Sequence, residues 1–496
     1  MSQNDQHTYA PLSTTQGTAT SRRPWLIVVG GNIGAGKTTI AKHTLSNLGA
    51  DFVPEIYENN FLAQCIERGQ HGFEAQLWFV VDRFRAVLNG LRSNRDVVMV
   101  DRHVWDTKAF SEALYRKGTI DAEQRDTLFA AAEVFEEFLG PIDCYVLINT
   151  EPEFCLKNIA KRNRGQWEAR WIKRDYLTLI KSAHEDLLQS RPPRARHVIV
   201  TKNDFGLSPE VIAGELLEQI ESLMKADKER YSADKKGAHN GDALDVGAAP
   251  LLGAALSDGT NNPSAGDIQA KAVGELISNT TIYNGQMIVG VGGNIGAGKT
   301  TAIQNLRELM PSLVVVGDEI FAHNPFFGRP ERESESQVYF ALERTKAFWR
   351  AATSRYDLRA PLLVDRTMFD NRVFIIVAHR QGLLSDDQRD LLLDLNLSLE
   401  EILPPQDLYI YLNAHPERCI ERIKKRGRKE EQRLTVSDLK EIGNAFESLI
   451  NDRRLAPRAG RVVEIDVNDA SPMVVAQKMM TEIMKVRSQH FFVQEV

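Results

Sequence analysis

Short, continuous apolar runs alternate along this chain with stretches whose apolar positions recur every three or four residues. In the first half the runs are Trp25–Val29, Asp96–Val100, Asp143–Asn149 and His197–Val200. In the second they are Met287–Val291, Leu313–Val316, Leu362–Val364, Asp407–Leu412 and Val462–Ile465. A strand that is apolar on both sides belongs inside a parallel sheet, and the helical periods between such strands supply the covering layers. The pattern predicts two α/β domains, each a five-stranded parallel sheet with helices on both faces.

The two halves are copies of each other. The string GGNIGAGKTT occurs at Gly30–Thr39 and again, unchanged, at Gly292–Thr301. Later residues recur in the same order: Glu55 as Glu319, Gln76 and Arg83 as Gln337 and Arg344, Asp101-Arg102 as Asp365-Arg366, and Arg162-x-Arg164 as Arg426-x-Arg428. A repeat of this length is a tandem duplication. The division it predicts is an irregular N-terminal arm over 1–24, a first domain over 25–225, a Gly-, Ala- and Ser-rich linker over 226–270, and a second domain over 271–496. A flexible linker of about 45 residues spans about 35–40 Å, enough for the domains to lie side by side.

Composition adds limits. An apolar fraction of 43% and a charged fraction of 26% are those of a soluble globular protein, and a net charge of −6 argues against general nucleic-acid binding. No apolar run is long enough to span a bilayer, so no membrane partner is expected. Cys65, Cys144, Cys155 and Cys419 show no metal or redox spacing and read as buried thiols in a cytoplasmic setting. A mitochondrial presequence finds little support, because the basic residues of the arm come late and show no amphipathic period.

In each copy an apolar strand leads straight into G-x-x-x-x-G-K-T and then a helix, which is the context of a phosphate-binding loop. The cradle is Gly31, Asn32, Ile33, Gly34, Ala35, Gly36, Lys37, Thr38 and Thr39 in the first copy. In the second it is Gly293, Asn294, Ile295, Gly296, Ala297, Gly298, Lys299, Thr300 and Thr301. Its glycines let backbone N–H groups face the phosphates, its lysine reaches the β- and γ-phosphates, and Thr38 or Thr300 offers a hydroxyl to Mg²⁺. ATP and Mg²⁺ are therefore the expected cofactors.

The loop alone fixes no reaction. The segment Tyr411–Leu439, YLNAHPERCIERIKKRGRKEEQRLTVSDL, together with Asp365-Arg366-Thr367 and the N-I-G-A-G-K-T form of the loop, resembles the deoxynucleoside kinase family. The resemblance covers most of Met287 to Met484. It implies an arginine-rich lid, with Arg422, Arg426 and Arg428 over the triphosphate in the second copy, and Arg162 and Arg164 in the first. It makes Glu319 and Glu55 the bases for a 5′-hydroxyl, places Arg366 and Arg102 beside the transferred phosphoryl group, and gives Asp365 and Asp101 to Mg²⁺. Gln337, Arg344 and Asn371 resemble the base-recognising residues, as do Gln76 and Arg83. Glu431 resembles the holder of the sugar 3′-hydroxyl, and Phe327 (or Phe326) stands where a sugar-binding tyrosine is expected.

The first copy departs further. Asn158 replaces the first lid arginine, His103 the Ser/Thr after Asp-Arg, and Gln166-Trp167 the paired glutamates, so this copy reads as partly degenerate. The reaction implied is ATP-dependent phosphorylation of deoxynucleosides for nucleotide salvage, in the second domain at least. The first domain is expected to act on another nucleoside or to regulate. A nucleoside monophosphate kinase, or a nucleotide-binding structural or regulatory protein on this fold, are the alternatives. The family's homodimers imply either an intramolecular pseudo-dimer or a homodimer.

Overall fold

The computed structural model describes residues 23–57, 59–162, 172–203, 207–237, 286–317, 320–353, 360–428 and 431–493. The first half runs β1 (Trp25–Gly31), α1 (Lys37–Leu48), β2 (Asp51–Val53), α2 (Asn60–Arg68), α3 (Gly72–Leu91), β3 (Val97–Asp101), α4 (Asp106–Arg116), α5 (Ala122–Leu139), β4 (Ile142–Asn149), α6 (Pro152–Arg162), α7 (Arg174–Ser190), β5 (Ala195–Lys202) and α8 (Pro209–Gly237). The second follows with β6 (Ile288–Gly293), α9 (Lys299–Leu309), β7 (Val314–Val316), two single turns at Ile320–His323 and Pro330–Arg332, α10 (Glu333–Thr353), β8 (Leu362–Asp365), α11 (Met368–Arg380), α12 (Asp386–Ile402), β9 (Gln406–Asn413), α13 (Pro416–Arg426), α14 (Val436–Ile450), β10 (Ala459–Asp466) and α15 (Pro472–Val493).

Each half forms one parallel sheet, ordered β2-β3-β1-β4-β5 and β7-β8-β6-β9-β10. The central strands are buried along their length, which is why β1 and β4 read as unbroken apolar runs. Strand β2 has only two apolar residues, Phe52 and Val53, between Asp51 and Pro54, so it does not stand out as its repeat β7 does. The order places β1 and β6 between the two halves of each sheet, so the loops leaving their C-terminal ends open into the crevice where ligands of such sheets bind.

One predicted boundary moves. Helix α8 continues to Gly237, through the start of the stretch read as linker. Its last stretch, KADKERYSADKKG, has no apolar period, yet Ala, Lys, Glu and Arg all favour helix, so propensity extends it where the hydrophobic signal stops. The arm over 1–22, the linker over 238–270, Glu319, Arg164, Gln166, Trp167 and Glu430 lie outside the described residues.

The two halves pack on one another through helices. α3 lies against α12, and α5 against α10, and one apolar cluster runs through both halves. At its centre the ring of Trp349 meets Phe138 edge-on at 4.5 Å. Because α3 corresponds to α10 and α5 to α12, the contact is reciprocal. Its edges differ in charge. On one, Arg332 pairs with Asp121, and Arg329 with Glu123 at 3.3 Å. On the other, Asn60 donates to Asp387 at 3.1 Å, while His71, at the position of Arg332, lies 3.6 Å from Glu74 of its own half.

Candidate active site

The phosphate loops follow β1 and β6 and enter α1 and α9. Gly36 and Gly298 take left-handed conformations at φ 87° and 95°, and Gly34 and Gly296 at 77° and 79°. A Cβ on Gly34 would stand 2.6 Å from Cys155 O, and one on Gly296 would stand 2.6 Å from Cys419 O, so only glycine fits. Lys37 Nζ donates to Gly31 O at 3.3 Å and Asn32 O at 2.9 Å, and Lys299 does the same to Gly293 O and Asn294 O. Burial, with repulsion from Arg102, draws Lys37 down to about 8; burial with Arg366 draws Lys299 down to about 7. An anion beside either lysine would restore its charge.

The side chains of Asn32 and Asn294 turn away from the cradle. Each donates to the helix behind it, Asn32 to Leu177 O at 2.7 Å and Asn294 to Leu439 O at 2.6 Å, so these residues brace the loop.

Behind the first loop, Thr38 Oγ1 donates to Asp101 Oδ2 at 2.7 Å, while Asp101 Oδ1 is buried without a partner. Arg102 and Arg366 follow their strands at φ 67°, a left-handed conformation unusual for arginine, and each backbone N–H bonds across to the central strand. That strained turn aims Arg102 at Glu55, with Nη1 to Oε1 at 2.5 Å, over the ring of Phe110 at 4.3 Å. Burial opposes the charge of Arg102, but Glu55, Asp101 and Asp106 outweigh it and raise its pKa. Lys37, Thr38, Glu55, Gln76, Asp101, Arg102 and Arg162 line one cavity of about 140 Å³, whose apolar wall includes Leu62, Phe79, Phe110, Ile172 and Tyr176.

Two sheets of this order, each carrying one such loop, identify a nucleotide-binding fold, and the chemistry around them is that of phosphoryl transfer. A family model described as Deoxynucleoside kinase matches residues 27–225 and again residues 289–490. The chain belongs to the deoxynucleoside kinase family. The kinase is 27% identical over 209 residues to a deoxyadenosine kinase of Dictyostelium discoideum, covering 40% of this chain and 80% of that protein. It is 24% identical over 198 residues to a deoxyguanosine kinase of the same organism, covering 38% of this chain and 68% of that one. Among solved structures, a deoxyadenosine kinase from M. mycoides with bound dCTP aligns with 40% of this chain and 100% of its own, at 19% identity and a TM-score of 0.33.

The two halves of the kinase differ less than their sequences suggest. Arg422 donates to Ala297 O at 2.9 Å and to Val467 O at 3.0 Å, so this residue, expected in the lid, lies beneath the phosphate loop and holds it. In the first half Asn158 donates to Gly34 O at 2.8 Å, and Asn203, at the position of Val467, donates to Ala35 O at 2.7 Å. Two short amides do the work of one arginine. His103 is likewise a replacement: its Nδ1 accepts from Trp105 N at 3.3 Å, as Thr367 Oγ1 accepts from Phe369 N at 3.3 Å. Both departures keep the local geometry.

The acceptor ends diverge more. Arg83, expected to recognise a base, is held by Asp82 at 2.9 Å from Nε and 2.5 Å from Nη2, while Nη1 donates to Pro54 O and Asp101 O. The sequence set them side by side, but adjacency in a helix gives no cue that they pair. In the second half Gln337 Nε2 donates to Glu333 at 2.7 Å; among the described residues, Gln337 Oε1, Arg344 Nη1, Asp365 Oδ1 and both side-chain polar atoms of Asn371 are buried without partners. Arg344 lies over Phe340, whose other neighbour is the exposed ring of Phe327. Phe326, the alternative for the sugar position, is fully buried. Glu431 receives Arg426, with Arg428 at 3.9 Å.

Sequence reading missed Asp106 and Tyr145, with Asp370 and Tyr409 as their repeats. Tyr145 donates to Asp106 at 2.8 Å and Tyr409 to Asp370 at 3.3 Å, directly beneath the loop glycines. Their recurrence at the fixed repeat offset was the available signal.

Proposed function

We propose that each half of this kinase transfers the γ-phosphoryl group of ATP to the 5′-hydroxyl of a deoxynucleoside, in nucleotide salvage, and that the first half is a working site. The observation that carries this is the Glu55–Arg102 pair at the mouth of the cavity containing Lys37, Thr38 and Asp101. Glu55 accepts the proton of the attacking hydroxyl, while Arg102 and Lys37 neutralise charge on the phosphoryl group in flight. The orphaned Asp101 Oδ1 and the Thr38 hydroxyl suit a hard cation, which fits Mg²⁺. Held by Asp101 and Thr38, Mg²⁺ would supply positive charge to the phosphates of ATP. Arg162 from the lid side and the apolar wall exclude water. With Arg83 tied to Asp82, the acceptor end holds no spare cation for an acceptor phosphate, which favours a nucleoside over a monophosphate.

The same reading makes the chain its own dimer, its halves joined through α3, α5, α10 and α12. The deciding experiment is ATP-dependent phosphorylation of the four deoxynucleosides by wild type, Lys37→Ala and Lys299→Ala. Loss of a different substrate in each variant is the expected result. Loss of all activity in Lys299→Ala alone would make the first half a support or regulator.

A further inference from the structure

The two acceptor pockets present different chemistry to a nucleobase, and one residue accounts for most of the difference. In the first half every nitrogen of the Arg83 guanidinium is engaged, two of them by Asp82. The hydroxyl of Thr107, which stands where the second half has Asn371, donates to Val104 O at 2.6 Å. Gln76 lines the same cavity and is the one base-facing amide left there. In the second half the residue matching Asp82 is Glu343, and it takes Lys346 at 2.9 Å instead of its neighbouring arginine. Arg344 Nη1, Gln337 Oε1 and the amide of Asn371 are all buried and unpaired among the described residues.

We infer that Asp82 is a specificity-determining residue: by holding Arg83 it ties up the guanidinium that lines the first pocket and leaves Gln76 to read the base alone. This rests on the reading of that cavity as a deoxynucleoside site. A primary amide offers one donor and one acceptor side by side, and such a pair matches the Watson–Crick edge of any of the four bases. A guanidinium is donor-only, and an unpaired one rejects edges that cannot accept from it. The first pocket is therefore the permissive one. The second, with an arginine and an asparagine to satisfy, selects bases carrying exposed carbonyl or ring-nitrogen acceptors.

The experiment compares wild type, Asp82→Ala and Asp82→Glu as full-length chains. Calorimetry gives the affinity for each of the four deoxynucleosides, and kcat/KM is measured for each in a Lys299→Ala background. Any change caused by the substitution is local to the first half. Asp82→Ala frees two guanidinium nitrogens, and the ratio between best and worst base should shift by about tenfold or more toward acceptor-rich bases. Asp82→Glu, which can re-form the pair, should return the ratio to that of wild type. A loss of equal size for all four bases would make Asp82 merely structural, and an unmoved ratio would overturn the inference alone. If the first half binds no deoxynucleoside, the inference falls together with the reading beneath it. If the binding ratio shifts without turnover, the inference stands and only catalysis by that half fails.

Discussion

Gln124 donates from Nε2 to Glu335 Oε1 at 2.6 Å across the seam between the two halves, and its repeat Gln388 makes the same bond to Glu74 at 2.6 Å. Each glutamine also closes the capping box of its own helix, through Asp121 or Ser385. Each glutamate lies two residues before a glutamine of an acceptor pocket, Gln337 or Gln76. The seam and the pockets thus share the first turns of α3 and α10.

The seam should contribute to stability as a core does. Trp349 and Phe138 are buried at its centre. Trp349→Ala is expected to cost about 3–5 kcal/mol in urea unfolding. Wild type should run as a single chain of 55.8 kDa by light scattering. A mass of twice that value at micromolar concentration would show that the halves pair between chains.

The exchange of Arg422 and Val467 for Asn158 and Asn203 predicts a rescue. Asn203→Val leaves Ala35 O with only the long 3.4 Å bond from Thr150, and a lost buried hydrogen bond costs about 1–3 kcal/mol. KM for ATP in a Lys299→Ala background should rise. Adding Asn158→Arg should lower it again, and purely additive effects would break the argument.

His103 makes the first half sensitive to acid. Burial holds its imidazole down at about 3, against an ordinary 6.5. Between those values the unfolded chain takes up a proton that the folded one refuses, so stability falls as pH drops below 6.5. His103→Thr restores the cap used by the second half and removes the group. Its stability should fall less steeply between pH 6.5 and 4, by up to about 1.4 kcal/mol per pH unit. Parallel slopes in denaturant titrations at several pH values would refute this.

Glu55→Gln keeps the shape of the side chain but removes the acceptor of the hydroxyl proton and the partner of Arg102. With Lys299→Ala in place, kcat should fall about 10²–10⁴-fold while ATP affinity changes little. A fall in ATP affinity with kcat intact would place Glu55 in binding.

The sheets and the phosphate loops were legible because their signals are local: an apolar run, a glycine spacing, an exact repeat. Strand β2 escaped because Asp51 and Pro54 leave it only two adjacent apolar residues, whereas its repeat β7 is an unbroken run of valines. The partners of Arg422 and Arg83 were not legible for a different reason. Sequence shows that a cation is present but not which carbonyl or carboxylate neutralises it, and both are settled by partners brought in by the fold, such as Val467 O, or by a rotamer, such as that of Asp82. Equally, the substitutions at Asn158 and His103 looked like decay because each was read alone, whereas Asn158 is compensated through Asn203 and His103 by its own ring nitrogen.

The unlike edges of the seam, Arg332 reaching Asp121 on one side and His71 kept to Glu74 of its own half on the other, cannot arise between two identical subunits related by symmetry. Two identical subunits must carry every mutation twice, so a residue that suits one pocket is imposed on its twin. Here the copies evolve separately while their one-to-one ratio stays fixed at any level of expression. With both halves active as proposed, the chain would supply two differently tuned activities in constant proportion.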